Sequence, residues 1–161
     1  MIIILNGVPN AGKTSVARVI QAKIPNTVHI EVDVLRNMYE WMPIDDAIHI
    51  ALENAKSIIP NFLDRGMNIV VDYPLDPYWH SYLINNLPEG ITVKTFTLRP
   101  RLDVATKNRG GREISSELSQ RIRYLYATNM NDPSLGVFID NSELTANDTA
   151  SIILEEMGLN V

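Results

Sequence analysis

The chain reads as an α/β domain organised on a parallel sheet. Apolar runs of four to six residues alternate along it with longer stretches of helical period, the signature of strands each followed by a covering helix. The first run, Ile2-Ile3-Ile4-Leu5, passes directly into a glycine-rich turn and then into the helical stretch Ser15-Val16-Ala17-Arg18-Val19-Ile20. With 161 residues, 45% of them apolar, the chain has material for one real core, so residues 1–161 are expected to form a single domain.

Five strands are expected in order: Ile2 to Asn6, Val28 to Val32, Asn68 to Asp72, Thr92 to Leu98 and Gly136 to Asp140. The first helix should run from Lys13 to Lys23. The next long one, Asp45 to Arg65, carries Ile48, Leu52, Ala55, Ile59 and Phe62 at close to a 3.6-residue period. Pro60 should kink or shorten it. Asp76-Pro77 opens a short helix through Tyr82, because proline suits a first helical turn. A short helical segment follows Pro100. Ser115 or Ser116 can cap the helix holding Leu118, Ile122 and Leu125, and Thr145 or Asn147 can cap the last one. Gly158 suits the position just past its end.

The turn after the first strand, Gly7-Val8-Pro9-Asn10-Ala11-Gly12-Lys13-Thr14, is a complete GxxxxGK[ST] phosphate loop in its confirming strand-to-helix context. Its glycines let several backbone N–H groups converge on one phosphate, and the helix that follows points the positive end of its dipole there. Lys13 would reach the β and γ phosphates and the Thr14 hydroxyl would ligate Mg²⁺. Gly7 through Ser15 therefore form the expected nucleoside triphosphate site.

Composition narrows the function. The formal net charge is −5, yet eight of the fourteen Lys and Arg lie between Lys94 and Arg123. An acidic chain with one basic segment suits a local polyanion such as ATP better than a long nucleic-acid track. Cysteine is absent, which removes disulfides, thiolate metal sites and cysteine nucleophiles and fits a reducing cytoplasm. The longest apolar runs fall far short of the roughly 20 residues that span a bilayer, so no membrane partner is expected.

Ligands of open α/β sheets sit beyond the carboxyl ends of the strands, and acids gather there. Glu31 and Asp33 flank the end of the second strand, facing the same way if the two-residue strand period continues, and Asp72 ends the third. Phosphoryl transfer to a hydroxyl needs one carboxylate to accept or orient the proton and another to hold Mg²⁺. Asp33 is assigned the first role and Asp72 the second, with Glu31 a further metal-shell candidate. Asp33 could instead cap a helix beginning at Val34, and Asp72 could cap a turn before Pro74.

Basic residues form the second constellation. Arg109-Gly110-Gly111-Arg112 has the composition of a mobile flap, a lid spanning approximately 107–118, whose guanidinium groups would meet transition-state charge on closure. Arg36, one helical turn past Asp33, is placed either to hold an anionic part of the acceptor or to form a surface salt bridge. Arg121 and Arg123 cannot both face the same way on a helix, so at most one reaches the cleft. Asp140-Asn141-Ser142 could line the base pocket, with Asn141 the expected contact. His29, His49 and His80 lack mutual metal-ligand spacing and read as packed or surface histidines. Trp41, Tyr73, Tyr78 and Trp79 could wall an acceptor pocket or simply belong to the core.

These residues in this order resemble the small P-loop kinases, most closely the branch containing chloramphenicol phosphotransferase, shikimate kinase, gluconate kinase and the 5′-kinase domain of phage polynucleotide kinase. The resemblance spans essentially the whole chain. It implies a three-layer P-loop NTPase fold with sheet order 2-3-1-4-5, and ATP with Mg²⁺ as the phosphoryl source for a hydroxyl acceptor. It also implies that Asp33 matches the acceptor-activating aspartate, Lys13 and Thr14 the phosphate and metal residues, and Arg109 with Arg112 the lid. Asp72-Tyr73-Pro74-Leu75 stands where shikimate kinases carry a glycine triplet, which argues against shikimate. Asp33-Val34-Leu35-Arg36 looks like the Asp-x-x-Arg of polynucleotide 5′-kinases, so a nucleotide or short 5′-hydroxyl end is an alternative acceptor, and a nucleotide-binding regulatory module without an acceptor is another reading. The leading expectation is a kinase of a small-molecule hydroxyl.

Overall fold

A computed structural model describes residues 1–108, 113–128 and 132–159. Five strands, β1 (Ile2–Gly7), β2 (Thr27–Glu31), β3 (Asn68–Asp72), β4 (Val93–Leu98) and β5 (Val137–Ile139), form one sheet in the order β2-β3-β1-β4-β5. Every neighbouring pair is parallel, as the resemblance implies. The helices are α1 (Lys13–Lys23), α2 (Val32–Arg36), α3 (Ile44–Leu63), α4 (Pro77–Asn85), α5 (Leu102–Ala105), α6 (Ser116–Thr128) and α7 (Ala146–Glu156), with short 3₁₀ turns at Asn37–Tyr39 and Pro133–Leu135. No helix among the described residues is long and apolar enough to cross a membrane.

The central strand explains the layering. β1 is buried along its whole length, and the alternation of a strand sends Ile3 and Leu5 to one face and Ile2 and Ile4 to the other. The first face packs with Val16, Ala17 and Ile20 of α1, Ile122 of α6 and Ile153 of α7. The second packs with Leu52, Ala55 and Ile59 of α3 and Leu83 of α4. Each fully buried Ile or Leu contributes roughly 1.5–3 kcal/mol, so an uninterrupted apolar strand anchors both layers at once.

Local signals set most helix boundaries. The Asp76 carboxylate accepts the Trp79 N–H at 2.8 Å and starts α4. Ser115, rather than Ser116, caps α6, its hydroxyl accepting the Leu118 N–H at 3.2 Å. Thr145, rather than Asn147, caps α7 in a reciprocal box with Asp148. Gly158 takes φ +73° just past the end of α7. Pro60 does not stop α3, which continues to Leu63 and closes with the Asp64 N–H on the Pro60 carbonyl at 2.9 Å.

One expected boundary is corrected. β2 ends at Glu31, and Val32 begins α2 instead of closing the strand. Helical geometry buries Val32 and Leu35 together against the α3 layer and leaves Val34 53% exposed, so the apolar spacing of three outweighs a strand period of two. Asp33 consequently lies in the first turn of a helix, and the strand-based argument that it shares a face with Glu31 does not apply. Nor is Asp33 a cap, since the residue before the helix is Glu31 and makes no side-chain cap bond.

Candidate active site

The phosphate loop is built by backbone that only certain residues accept. Gly7 closes β1 at φ +137°, and a Cβ there would lie 2.4 Å from the Leu98 carbonyl oxygen of β4. Asn10 adopts φ +67°, a conformation asparagine tolerates better than most residues. Its amide donates to the carbonyls of Ala105 at 2.9 Å and Lys107 at 3.0 Å, fastening the turn to α5. Gly12, at φ +94°, precedes α1 and supplies no side-chain cap, so the first-turn N–H groups are left to an anion in the loop. The Lys13 ammonium folds over this turn and donates to the Gly7 and Val8 carbonyls, both at 3.0 Å.

This loop borders a cavity of about 800 Å³, within the range that takes a small ligand. Pro9, Asn10, Gly12, Lys13, Thr14 and Ser15 line it from the loop side. Gly7, Val8 and Ala11, expected among the nucleotide contacts, are buried beneath the turn and do not reach it. Glu31, Asp33, Arg36 and Asn37 form a second wall, and Asp72, Tyr73 and Pro74, at the end of β3, form a third. Leu118 and Arg121 of α6 join Asn141 and the start of α7 to complete it. Of the two α6 arginines, Arg121 reaches the cleft and Arg123 does not.

The acids are held differently. Asp72 is 2% exposed, and its Oδ2 lies 3.0 Å from His29 Nε2 on β2. Asp33 is half-exposed and takes a bond from Arg36 Nε at 3.3 Å, while the other end of that guanidinium donates to Asn37 Oδ1 at 3.2 Å. Arg36 lines the cavity and is the ion-pair partner of Asp33. Burial pushes the Tyr73 phenol up to about 12, assisted by the negative charge of Asp33 and opposed by Arg36 and Arg121. It therefore remains a neutral hydrogen-bond donor across the physiological range.

Asn141 borders the cavity but also braces the loop, donating from Nδ2 to the Ala11 carbonyl at 2.8 Å. Arg109 and Arg112 lie outside the described residues, and the end of the expected lid, from Ser116, is already α6. His80 is buried against the Thr95 hydroxyl at 2.8 Å, and burial lowers its pKa. His49 packs on Trp79 and Tyr82 outside the cavity. Tyr73 is the aromatic that walls the cleft. Trp41 and Tyr78 belong neither to it nor to the core, being 82% and 69% exposed. Among the described residues no three His, Cys, Asp or Glu side chains gather into a metal cage.

Two contributors escaped sequence reasoning. His29, expected as a packed or surface histidine, is held against Asp72, because the strand period puts it on the face of Glu31, whose register partner is Asp72. Asn6, buried one residue before the loop, accepts the Leu75 N–H at 2.7 Å and donates to Thr97 Oγ1 at 3.3 Å. It ties β1 to the chain that leaves β3 through Tyr73 and so fixes the third wall against the first.

Solved structures share this architecture. The tunicamycin resistance protein of Deinococcus radiodurans aligns with a TM-score of 0.68 at 22% identity, covering 99% of this chain and 96% of that one. A sugar kinase from Janibacter sp. HTCC2649 aligns with a TM-score of 0.74 at 17% identity, covering 98% and 94%. A gluconokinase from Sinorhizobium meliloti 1021 gives a TM-score of 0.72 at 22% identity, covering 97% and 90%. No curated protein matches the sequence significantly. A family model does: the one described as chloramphenicol phosphotransferase-like protein spans residues 1–157. With its phosphate loop, its sheet order and this match over nearly the whole length, the chain belongs to the chloramphenicol phosphotransferase-like family of P-loop, kinase-type phosphotransferases.

Proposed function

We propose that the protein transfers the γ-phosphoryl group of ATP to a hydroxyl of a small molecule in the cytoplasm. The observation that carries this reading is that Asp33, pinned by Arg36, lines the same cavity as the phosphate loop and Lys13. The loop amides and the start of α1 receive the phosphates. Lys13 turns from the Gly7 and Val8 carbonyls toward them. Asp33 orients the acceptor hydroxyl and takes its proton as the new O–P bond forms and the bond from the γ-phosphorus to the β-γ bridging oxygen breaks, leaving ADP. Arg109 and Arg112 close over the developing charge.

Mg²⁺ fits the residues present. Thr14 and the buried carboxylate Asp72 bring hard oxygen donors to one cavity, and this ion is ordinarily held by one or two such groups together with substrate phosphates and water. Its chemistry there is to neutralise charge on the phosphate oxygens. Glu31 stands close enough to the end of β3, as the register partner of Asp72, to support that shell.

The test is ATP turnover measured with and without hydroxyl acceptors. Asp33→Asn should lower acceptor-dependent turnover by about 10²–10⁴-fold, the usual worth of a positioned base, while ATP still binds. Lys13→Ala should lose ATP binding itself. Acceptor-dependent turnover that survives Asp33→Asn undamaged refutes the assigned base.

A further inference from the structure

Two arginines line the cavity beyond the loop residues, and they are differently engaged. Arg36 is committed to Asp33 and Asn37. Arg121, arriving from α6, makes no ion pair or hydrogen bond with any described residue, yet it lines the cavity. The Asp33–Arg36 pair balances its own charge, so Arg121 is a cation of the cavity lining with no ion-pair partner among the described residues. Asp33, Arg36, Arg121 and Tyr73 all line the one cavity, and the Tyr73 phenol feels the charge of all three. The Tyr73 phenol offers a proton in the same cavity. Tyr73 is 4% exposed and neutral.

A guanidinium and a phenolic donor lining one cavity suit a carboxylate or phosphate oxygen better than a neutral alcohol, because hydrogen bonds to an ionised acceptor are about twice as strong. We infer that the acceptor is itself an anion: a hydroxyl compound whose carboxylate or phosphate monoester group seats against Arg121 and the Tyr73 hydroxyl while its free hydroxyl faces Asp33. This rests on the phosphotransferase reading above. Of the two roles expected for Arg36, holder of an acceptor anion or salt-bridge partner, its bond to Asp33 favours the second and leaves the anion to Arg121. Glu31 and Asp72 also line the cavity; Asp72 is engaged by His29, and their like charge disfavours seating the anionic end of the acceptor against them rather than against Arg121.

The inference is tested with charge-matched acceptor pairs and labelled ATP: D-gluconate against D-glucitol for a carboxylate, and uridine 3′-phosphate against uridine for a phosphate. The expected result is a preference of at least about tenfold in kcat/KM for an anionic member over its neutral twin, the two pairs deciding which anion is meant. Arg121→Gln should erase about 10- to 100-fold of that preference, the worth of a charge-assisted bond, through the acceptor KM, with the KM for ATP unmoved. Tyr73→Phe, which keeps the ring, should weaken the same anionic member and spare its twin. Equal use of both twins, or an Arg121→Gln effect on the KM for ATP instead, overturns the inference and leaves the phosphotransferase reading standing. No phosphorylation of any of the four, while ATP is bound and consumed, refutes that reading and the inference with it.

Discussion

His29 and Asp72 face each other across β2 and β3, imidazole Nε2 to carboxylate Oδ2 at 3.0 Å, with side chains 9% and 3% exposed. A carboxylate at that depth has given up nearly all of its water, and a protein donor must replace it. With its proton on Nε2 the imidazole is that donor, and it also fixes the direction in which Asp72 presents its other oxygen to the cavity.

Removing the donor should therefore be costly in a particular way. His29→Leu preserves volume but strands the carboxylate, and unfolding in urea should show a loss of about 1–3 kcal/mol. Adding Asp72→Asn should recover part of that loss, because an amide is cheaper than a carboxylate to bury without a partner. A double-mutant cycle reads the coupling directly. Equal and additive losses would mean that His29 merely fills space.

The two glycines that bracket the phosphate loop separate folding from binding. At Gly7 a new Cβ would stand 2.4 Å from the Leu98 carbonyl oxygen, inside a sheet that cannot move apart. Gly7→Ala is expected to cost on the order of 4 kcal/mol or more, the range reserved for a forced backbone shift, and to leave little folded protein. At Gly12 the nearest obstacle is the Asn141 amide nitrogen at 3.7 Å, ordinary contact. There the cost is only that of a left-handed residue, about 1–2 kcal/mol. Gly12→Ala should fold, and calorimetry with ATP should show weakened binding, because the relaxing backbone turns loop N–H groups away from the phosphates. The opposite ranking of the two variants in thermal unfolding would contradict this division.

The sequence made the loop and the sheet legible because both depend on local pattern. β1 and β3 are buried on both faces, so each is an unbroken apolar run, and the phosphate loop needs its residues at fixed spacing within one turn. Sheet order came from resemblance, since nothing in an apolar run says which neighbour it will choose. The end of β2 was misplaced because Val32-Asp33-Val34 alternates like a strand, whereas only the α3 layer reveals that Val32 and Leu35 are the pair worth burying. The bonds from His29 to Asp72 and from Asn6 to Leu75 join residues 43 and 69 positions apart. Such bonds are set by strand register and chain crossing, which no short window of sequence contains. Asn141 lines the cleft, and its bond to the Ala11 carbonyl, 130 positions away, is a brace for the loop that no local pattern reveals.

Alkaline pH offers a readout of the Tyr73 environment. An ordinary phenol ionises near 10.0, while burial, with Asp33 beside it, raises Tyr73 to about 12. Below pH 10 the phenol is neutral in both folded and unfolded chains, and its full stabilising share is present. Between 10 and about 12 only the unfolded chain releases the proton, so stability falls as pH rises and the decline levels off above the folded value. Tyr126, half-buried with its hydroxyl on the Pro100 carbonyl and likewise raised to about 12, contributes a second decline of the same sign. Urea midpoints taken from pH 8 to 11 should therefore drop, and Tyr73→Phe should make that drop shallower without abolishing it. Tyr73→Phe and Tyr126→Phe together should nearly flatten the tyrosine part. If Tyr73→Phe leaves the alkaline slope unchanged, the phenol is not desolvated, and its service as a neutral donor at the acceptor wall loses its physical basis.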